Sequence, residues 1–143
     1  QLTAAVNRWF DSSSADPVVV VIYSSGTELL EDLASSTSSF LGKDTSIFRA
    51  TDRTTRAVLH DAFETGLNNG PLSSIGIQEL EKLSWEAALV LHYFADGDYA
   101  SDSRPLMWLQ VTLYEKSHAM LLLKGFSSHR GFVVEATKTT SRP

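Results

Sequence analysis

Cysteine is absent from the 143 residues. That excludes disulfides, thiolate metal sites and cysteine nucleophiles, and it leaves the redox compartment undetermined. The chain also lacks an apolar run near the roughly 18 residues that a bilayer-crossing helix needs, and it has no signal-peptide pattern. No block of basic residues occurs and the formal net charge is −5, so charge gives no reason to expect nucleic acid. No Gly-x-Ser-x-Gly elbow is present, and the many serines read as loop and cap material. The four histidines, His60, His92, His118 and His129, are scattered, and none is expected to pair with another histidine or a carboxylate at the tight helical spacing of a metal motif. The expectation is neither a metal site nor a cofactor.

What is present is an ordinary core. The composition is 43% hydrophobic and 20% charged, enough for one compact domain spanning 1–143. Val6, Trp9 and Phe10 have helical spacing, so 1–16 reads as an N-terminal helix and linker, and the opening at Gln1 suggests a fragment of something longer. Val18-Val19-Val20-Val21-Ile22-Tyr23 is the continuous β-branched run of a strand buried on both faces of a parallel sheet. Ser24-Ser25-Gly26-Thr27 turns the chain, with Ser25 and Glu28 placed for a capping box. Leu29, Leu30, Leu33, Phe40 and Leu41 then supply a helical stripe that Gly42 ends.

The alternation continues. Thr45–Ala50 reads as a short strand, and Thr51 or Asp52 as the cap of a helix carrying Val58, Leu59, Ala62, Phe63 and Leu67. Ser74–Leu80 reads as a third strand and Glu86–Ala95 as a fourth, the latter inner to the sheet beside Val18–Tyr23. Asp102 or Ser103 caps a helix with Pro105 in its first turn and Leu106, Leu109 and Leu113 along one face. Ala119–Leu123 fits either helix or strand. Phe132-Val133-Val134 forms a last strand and 137–143 a tail. Strands alternating with helices predict an α/β fold of three layers with a mostly parallel central sheet. Ligands of such sheets bind beyond the strands' carboxyl ends, which singles out the turns after Tyr23 and Phe94.

Those ends carry the outline of a nucleotide site without its chemistry. A P-loop needs glycines, a lysine for the β- and γ-phosphates and a Ser/Thr for magnesium. The corresponding Ser25-Gly26-Thr27-Glu28 has one glycine and no lysine. Glu28 puts a carboxylate at the helix N-terminus, where it opposes phosphate. Ile75-Gly76-Ile77-Gln78-Glu79-Leu80-Glu81-Lys82-Leu83 has the shape of a Walker B segment of the AAA+ class. Gln78 takes the place of the magnesium-binding aspartate and lacks its carboxylate. Glu79 stands where a water-activating base would sit; the plainer reading is that both residues simply end an exposed strand. Asp96 and Asp98 could pair as catalytic carboxylates, but Asp-Gly is also common turn chemistry.

Several phrases together resemble the luminal domains of the torsin-interacting proteins, the lamina-associated and luminal activators of torsin ATPases. They are Pro17 before the first strand, Arg49-Ala50-Thr51-Asp52, Phe63-Glu64-Thr65-Gly66-Leu67-Asn68-Asn69-Gly70, Leu80-Glu81-Lys82-Leu83, Ala88–Asp96 and the leucine-rich Pro105–Lys116. The likeness runs from Val18 to Lys116. It implies a degenerate AAA+-like domain that binds no nucleotide and is not itself an enzyme. Such a domain docks on a torsin-like ATPase in its ATP-bound form and stimulates hydrolysis by supplying an arginine in trans. Arg130, in Ser128-His129-Arg130-Gly131-Phe132, matches the placement of that arginine before the last strand, with Arg142 in reserve. The resemblance also implies the endoplasmic reticulum lumen and perinuclear space, with membrane attachment only through a segment outside this chain. The family's paired cysteines are missing, and the stretch between Lys116 and Gly131 is shorter than in the family. Two other readings stand beside this one. One is an interaction module that keeps the fold but has lost both nucleotide binding and activation; the other is an enzyme using Asp96, Asp98 or Glu79.

Overall fold

Six consecutive β-branched and aromatic residues favour extended backbone only if both faces of the strand can be buried. In the computed structural model, which describes residues 18–41, 44–67, 73–95, 106–112 and 132–138, they are. Strand β1 (Val18–Ser24) is buried at every position. It lies between β4 (Leu106–Thr112) and β5 (Phe132–Lys138), and both pairings are parallel. Strand β3 (Ser74–Gln78) pairs with β4, and β2 (Ser46–Arg49) pairs with β3, again in parallel. The order across the sheet is β2-β3-β4-β1-β5. Three helices complete the described chain: α1 (Glu28–Leu41), α2 (Arg56–Gly66) and α3 (Trp85–Ala95), with a 3₁₀ turn at Leu80–Lys82 before α3.

The period-two alternation of the strands sorts the core into two layers. Val19, Val21, Tyr23, Ile75, Ile77, Met107, Leu109 and Val111 face one side. They pack there with Leu59 and Phe63 of α2 and with Ala87, Ala88, Leu91 and Phe94 of α3. Phe63 and Phe94 stack with centroids 4.8 Å apart. Val18, Val20, Ile22, Leu106 and Trp108 face the other side and meet Leu30, Leu29 and Leu33 of α1. Gly76 lets α1 approach β3 closely, since a Cβ there would lie 3.0 Å from Leu30 Cδ2. The expected three layers are therefore present among the described residues, with α1 alone on one face and α2 and α3 together on the other.

Two expected elements exchange identity. Glu86–Ala95, read as an inner strand, lies within helix α3, whereas Leu106–Thr112, read as a helical face behind Pro105, is the inner strand β4. Two caps also move. The Thr27 carbonyl accepts the first helical bond from Glu31 N–H, so α1 begins at Glu28 and Ser25 lies two residues before the cap position. Helix α2 is capped by Thr55, whose hydroxyl accepts from Val58 N–H at 3.2 Å. Thr51 instead closes a turn, its N–H donating to Thr54 Oγ1 at 2.9 Å. Leu80 leaves β3 for the 3₁₀ turn, and Thr137 and Lys138 belong to β5 rather than to a tail. The expected N-terminal helix at 1–16, the Asp102 or Ser103 cap and Ala119–Leu123 lie outside the described residues.

Candidate functional site at the carboxyl edge of the sheet

Parallel register brings the strand ends Arg49, Gln78, Thr112 and Ser24 to one edge of the sheet. Polar residues are costly in a buried sheet unless each finds a partner. Here they find one another. Gln110 of β4 is fully buried and bridges two strands. Its Oε1 accepts from Glu79 N–H at 2.8 Å, and its Nε2 donates to Ser24 Oγ at 3.3 Å. Ser24 Oγ in turn donates to the carbonyl of Gly26. Gln78 Nε2 donates to Glu31 Oε1 on α1 at 2.9 Å. Glu81, also buried, accepts from both Thr112 N–H at 2.9 Å and Thr112 Oγ1 at 2.8 Å, fastening the 3₁₀ turn to the end of β4.

Glu79 is the strained member. Its φ of 57° is the one positive value outside glycine among the described residues, a left-handed conformation that costs a non-glycine residue roughly 1–2 kcal/mol. Arg49 Nε donates to Glu79 Oε2 at 2.6 Å and Lys82 Nζ lies 3.1 Å from Oε1. Burial pushes this carboxyl up, but hydrogen bonds and charge from Lys82 and Arg49 outweigh burial and hold it below its ordinary value. A carboxylate held ionised by two cations is poorly disposed to accept a proton at neutral pH.

At the β1 end, Ser25, Gly26 and Thr27 form a short bend and Glu28 opens α1. The Glu28 carboxylate folds back over Gly26 into the space that a side chain there would take. A second carboxylate, Glu31, stands in the same first turn. The helix N-terminus thus carries two negative groups where its dipole would otherwise favour an anion.

Ser25, Gly26, Thr27 and Glu28 follow the end of β1, and Gln78 and Glu79 stand at the end of β3, at the same edge of the sheet with β4 between them. The expected strand end at Phe94 is not one, because Trp85–Ala95 is helix α3; Asp96 and Asp98 lie outside the described residues, as do Arg130 and Arg142. Sequence reading passed over Gln110, Thr112, Glu81, Glu31 and Arg49. A lone glutamine inside the apolar run Leu106–Val111 was the available signal. The expectation that no histidine pairs with a carboxylate at helical spacing does not hold either, since His60 and Glu64 stand i,i+4 on α2. With Asp61, these residues bring ligand-type atoms within 4.8 Å of one another. His60 Nδ1 lies 3.6 Å from Glu64, and its ring packs 5.9 and 5.4 Å from those of Tyr93 and Phe94.

Fold and site together define a layered α/β domain on a parallel sheet, with a self-bonded polar carboxyl edge. No protein-family model matches the chain, and no curated protein does. Among solved structures, it is similar to a DNA polymerase III gamma subunit-related protein from Thermotoga maritima, with a TM-score of 0.58 and 9% sequence identity. The match covers 97% of this chain and 46% of that one, so this chain spans about half the length of its neighbour. At that identity the likeness is one of fold alone.

Proposed function

We propose that this chain is a non-hydrolysing, AAA+-like partner of a torsin-type ATPase, which docks on the ATP-bound form and stimulates its hydrolysis by supplying an arginine in trans. The observation that carries this reading is the self-satisfied carboxyl edge. Gln78, in the place of a magnesium-binding aspartate, is hydrogen-bonded to Glu31, and Glu79 is held by Arg49 and Lys82. An edge filled by its own side chains, with Glu28 and Glu31 at the helix N-terminus, is ill suited to a triphosphate and its metal. A domain with this fold and no nucleotide of its own is suited to complete a neighbour's site. The torsin assignment rests on the sequence phrases quoted above, as does the proposed location in the endoplasmic reticulum lumen and perinuclear space. No described helix is long and apolar enough to cross a membrane, and the reading places the anchor outside this chain.

Arg130 is the proposed finger and Arg142 the reserve. A trans-acting arginine stabilises charge on the γ-phosphate during hydrolysis and contributes roughly 10³–10⁵ in rate. The test is ATP hydrolysis by a torsin with and without this domain. The wild-type chain should stimulate turnover, and Arg130→Ala should remove most stimulation while preserving folding and much of the binding. Full stimulation by Arg130→Ala with loss in Arg142→Ala would move the finger to Arg142; stimulation by both variants would rule out either arginine. Binding to ATP-loaded torsin without stimulation by the wild-type chain would favour the interaction-module reading.

A further inference from the structure

Among the described residues, the sheet has an open side as well as a carboxyl edge. Strand β2 is outermost and, among the described residues, pairs only with β3. Ala50 N–H donates inward to the Gln78 carbonyl at 2.9 Å. Successive residues of a strand alternate direction in a parallel ladder, so the N–H and C=O of Ile47 and Arg49 point away from β3, toward the open side. Helix α2 runs alongside and leaves a groove of about 310 Å³, walled by Ile47 and Phe48 from β2 and by Asp61, Ala62 and Thr65 from α2. Ile47 is 44% exposed. Edge strands are commonly protected by charged residues or proline; Ser46–Arg49 contains no proline, and its one charge, Arg49, is paired with Glu79. Asp61 is the one charged residue of the groove lining.

We propose that this groove is a strand-addition site for an extended segment of a partner protein, carrying apolar side chains at alternate positions and a lysine or arginine opposite Asp61. The outward amide and carbonyl groups select the occupant. An extended backbone can pair with them, whereas a helix, whose own groups are already bonded, would leave them unsatisfied. The apolar walls read alternate side chains, and the Asp61 carboxylate, within 4.8 Å of that of Glu64, supplies the charge complementarity that fixes register. This surface is apart from the proposed nucleotide-free edge and stands or falls independently of it.

The test begins with selection from a random-peptide display library against the full chain. Enriched sequences should alternate apolar residues and carry a basic residue. A synthetic peptide of the enriched sequence, followed by fluorescence anisotropy, should bind the wild-type chain and Ile47→Val alike. Ile47→Pro deletes one outward N–H without touching the β3 ladder and should weaken binding by about tenfold or more. Asp61→Lys should weaken it similarly for the basic peptide, with partial recovery when the peptide's basic residue becomes glutamate. Thermal unfolding of each variant must remain cooperative; should Ile47→Pro fail to fold, Asp61→Lys with the exchanged peptide carries the test. Failure to enrich any peptide, equal binding by Asp61→Lys and wild type, or a wild-type dimer in sedimentation that Ile47→Pro dissociates would overturn the proposal. The last outcome would make a second copy the occupant.

Discussion

The body of the sheet and its carboxyl edge are built from the same strands but held by different forces. In the body, β1, β3 and β4 present aliphatic and aromatic side chains to two helical layers, and burial is nearly complete. Toward their carboxyl ends stand Ser24, Gln78, Gln110 and Thr112, held by directional bonds to Glu31, Glu79, Glu81 and one another. Burial of apolar area is additive and tolerant of small shifts, while a bonded polar network fails when one member is removed. The body should therefore decide whether the chain folds, and the edge what it can bind.

The largest effect should come from charging the body. Val20→Asp or Leu91→Asp places an unpaired carboxylate at a position with 0% exposure, at a cost of about 4 kcal/mol or more. Neither variant should give a cooperative thermal transition by circular dichroism. A soluble, cooperatively unfolding Val20→Asp chain would show that the body is placed wrongly.

Opening the edge should cost less. Gln110→Ala leaves Glu79 N–H and Ser24 Oγ without the partner they share and creates a small cavity, about 2–4 kcal/mol in all. Thr112→Val removes one of the two bonds to Glu81 and should cost about 1–2 kcal/mol. Chemical denaturation would rank them. If Thr112→Val destabilises more than Gln110→Ala, the bridging role given to Gln110 is misassigned.

Smallest of all is the effect at Glu79, whose partners Arg49 and Lys82 are half exposed. Glu79→Gln should cost about 0.5–1 kcal/mol at neutral pH. The folded-state pKa is lowered, so the stabilisation is present above the ordinary carboxylate value and is lost as pH falls through the lowered one. Wild type and Glu79→Gln should differ at pH 7 and converge in acid. A gap that widens on acidification would contradict the pairing.

How far this division is legible in sequence differs between neighbouring segments. Val18–Tyr23 could be read directly, because an unbroken β-branched run has one common use. Trp85–Ala95 and Leu106–Thr112 could not be told apart by periodicity. In α3 the buried Ala87, Ala88, Leu91 and Phe94 follow helical spacing, but Trp85, Leu89 and Tyr93 are large apolar residues left 44–56% exposed, and they erase the polar face a helix is recognised by. In β4, Leu106 and Leu109 fall three apart behind Pro105 and imitate a helical stripe, although both are buried strand residues. At the edge, Gln78, Glu79 and Glu28 were found by motif order. Gln110 and Thr112 are hidden because the leucines of their segment imitate a helical period, and Arg49 because an ion pair 30 residues apart in sequence leaves no local trace.

The claim on which the functional reading depends is that the carboxyl edge is occupied by the chain's own side chains and takes no nucleotide. Differential scanning fluorimetry of the full chain with and without millimolar ATP and magnesium tests it directly, since a ligand stabilises only a folded state that it binds. An unchanged melting temperature is the predicted result. A rise of about several degrees, abolished by withholding magnesium, would show that Gln78, Glu79 and Glu28 leave room for the site they are proposed to have closed.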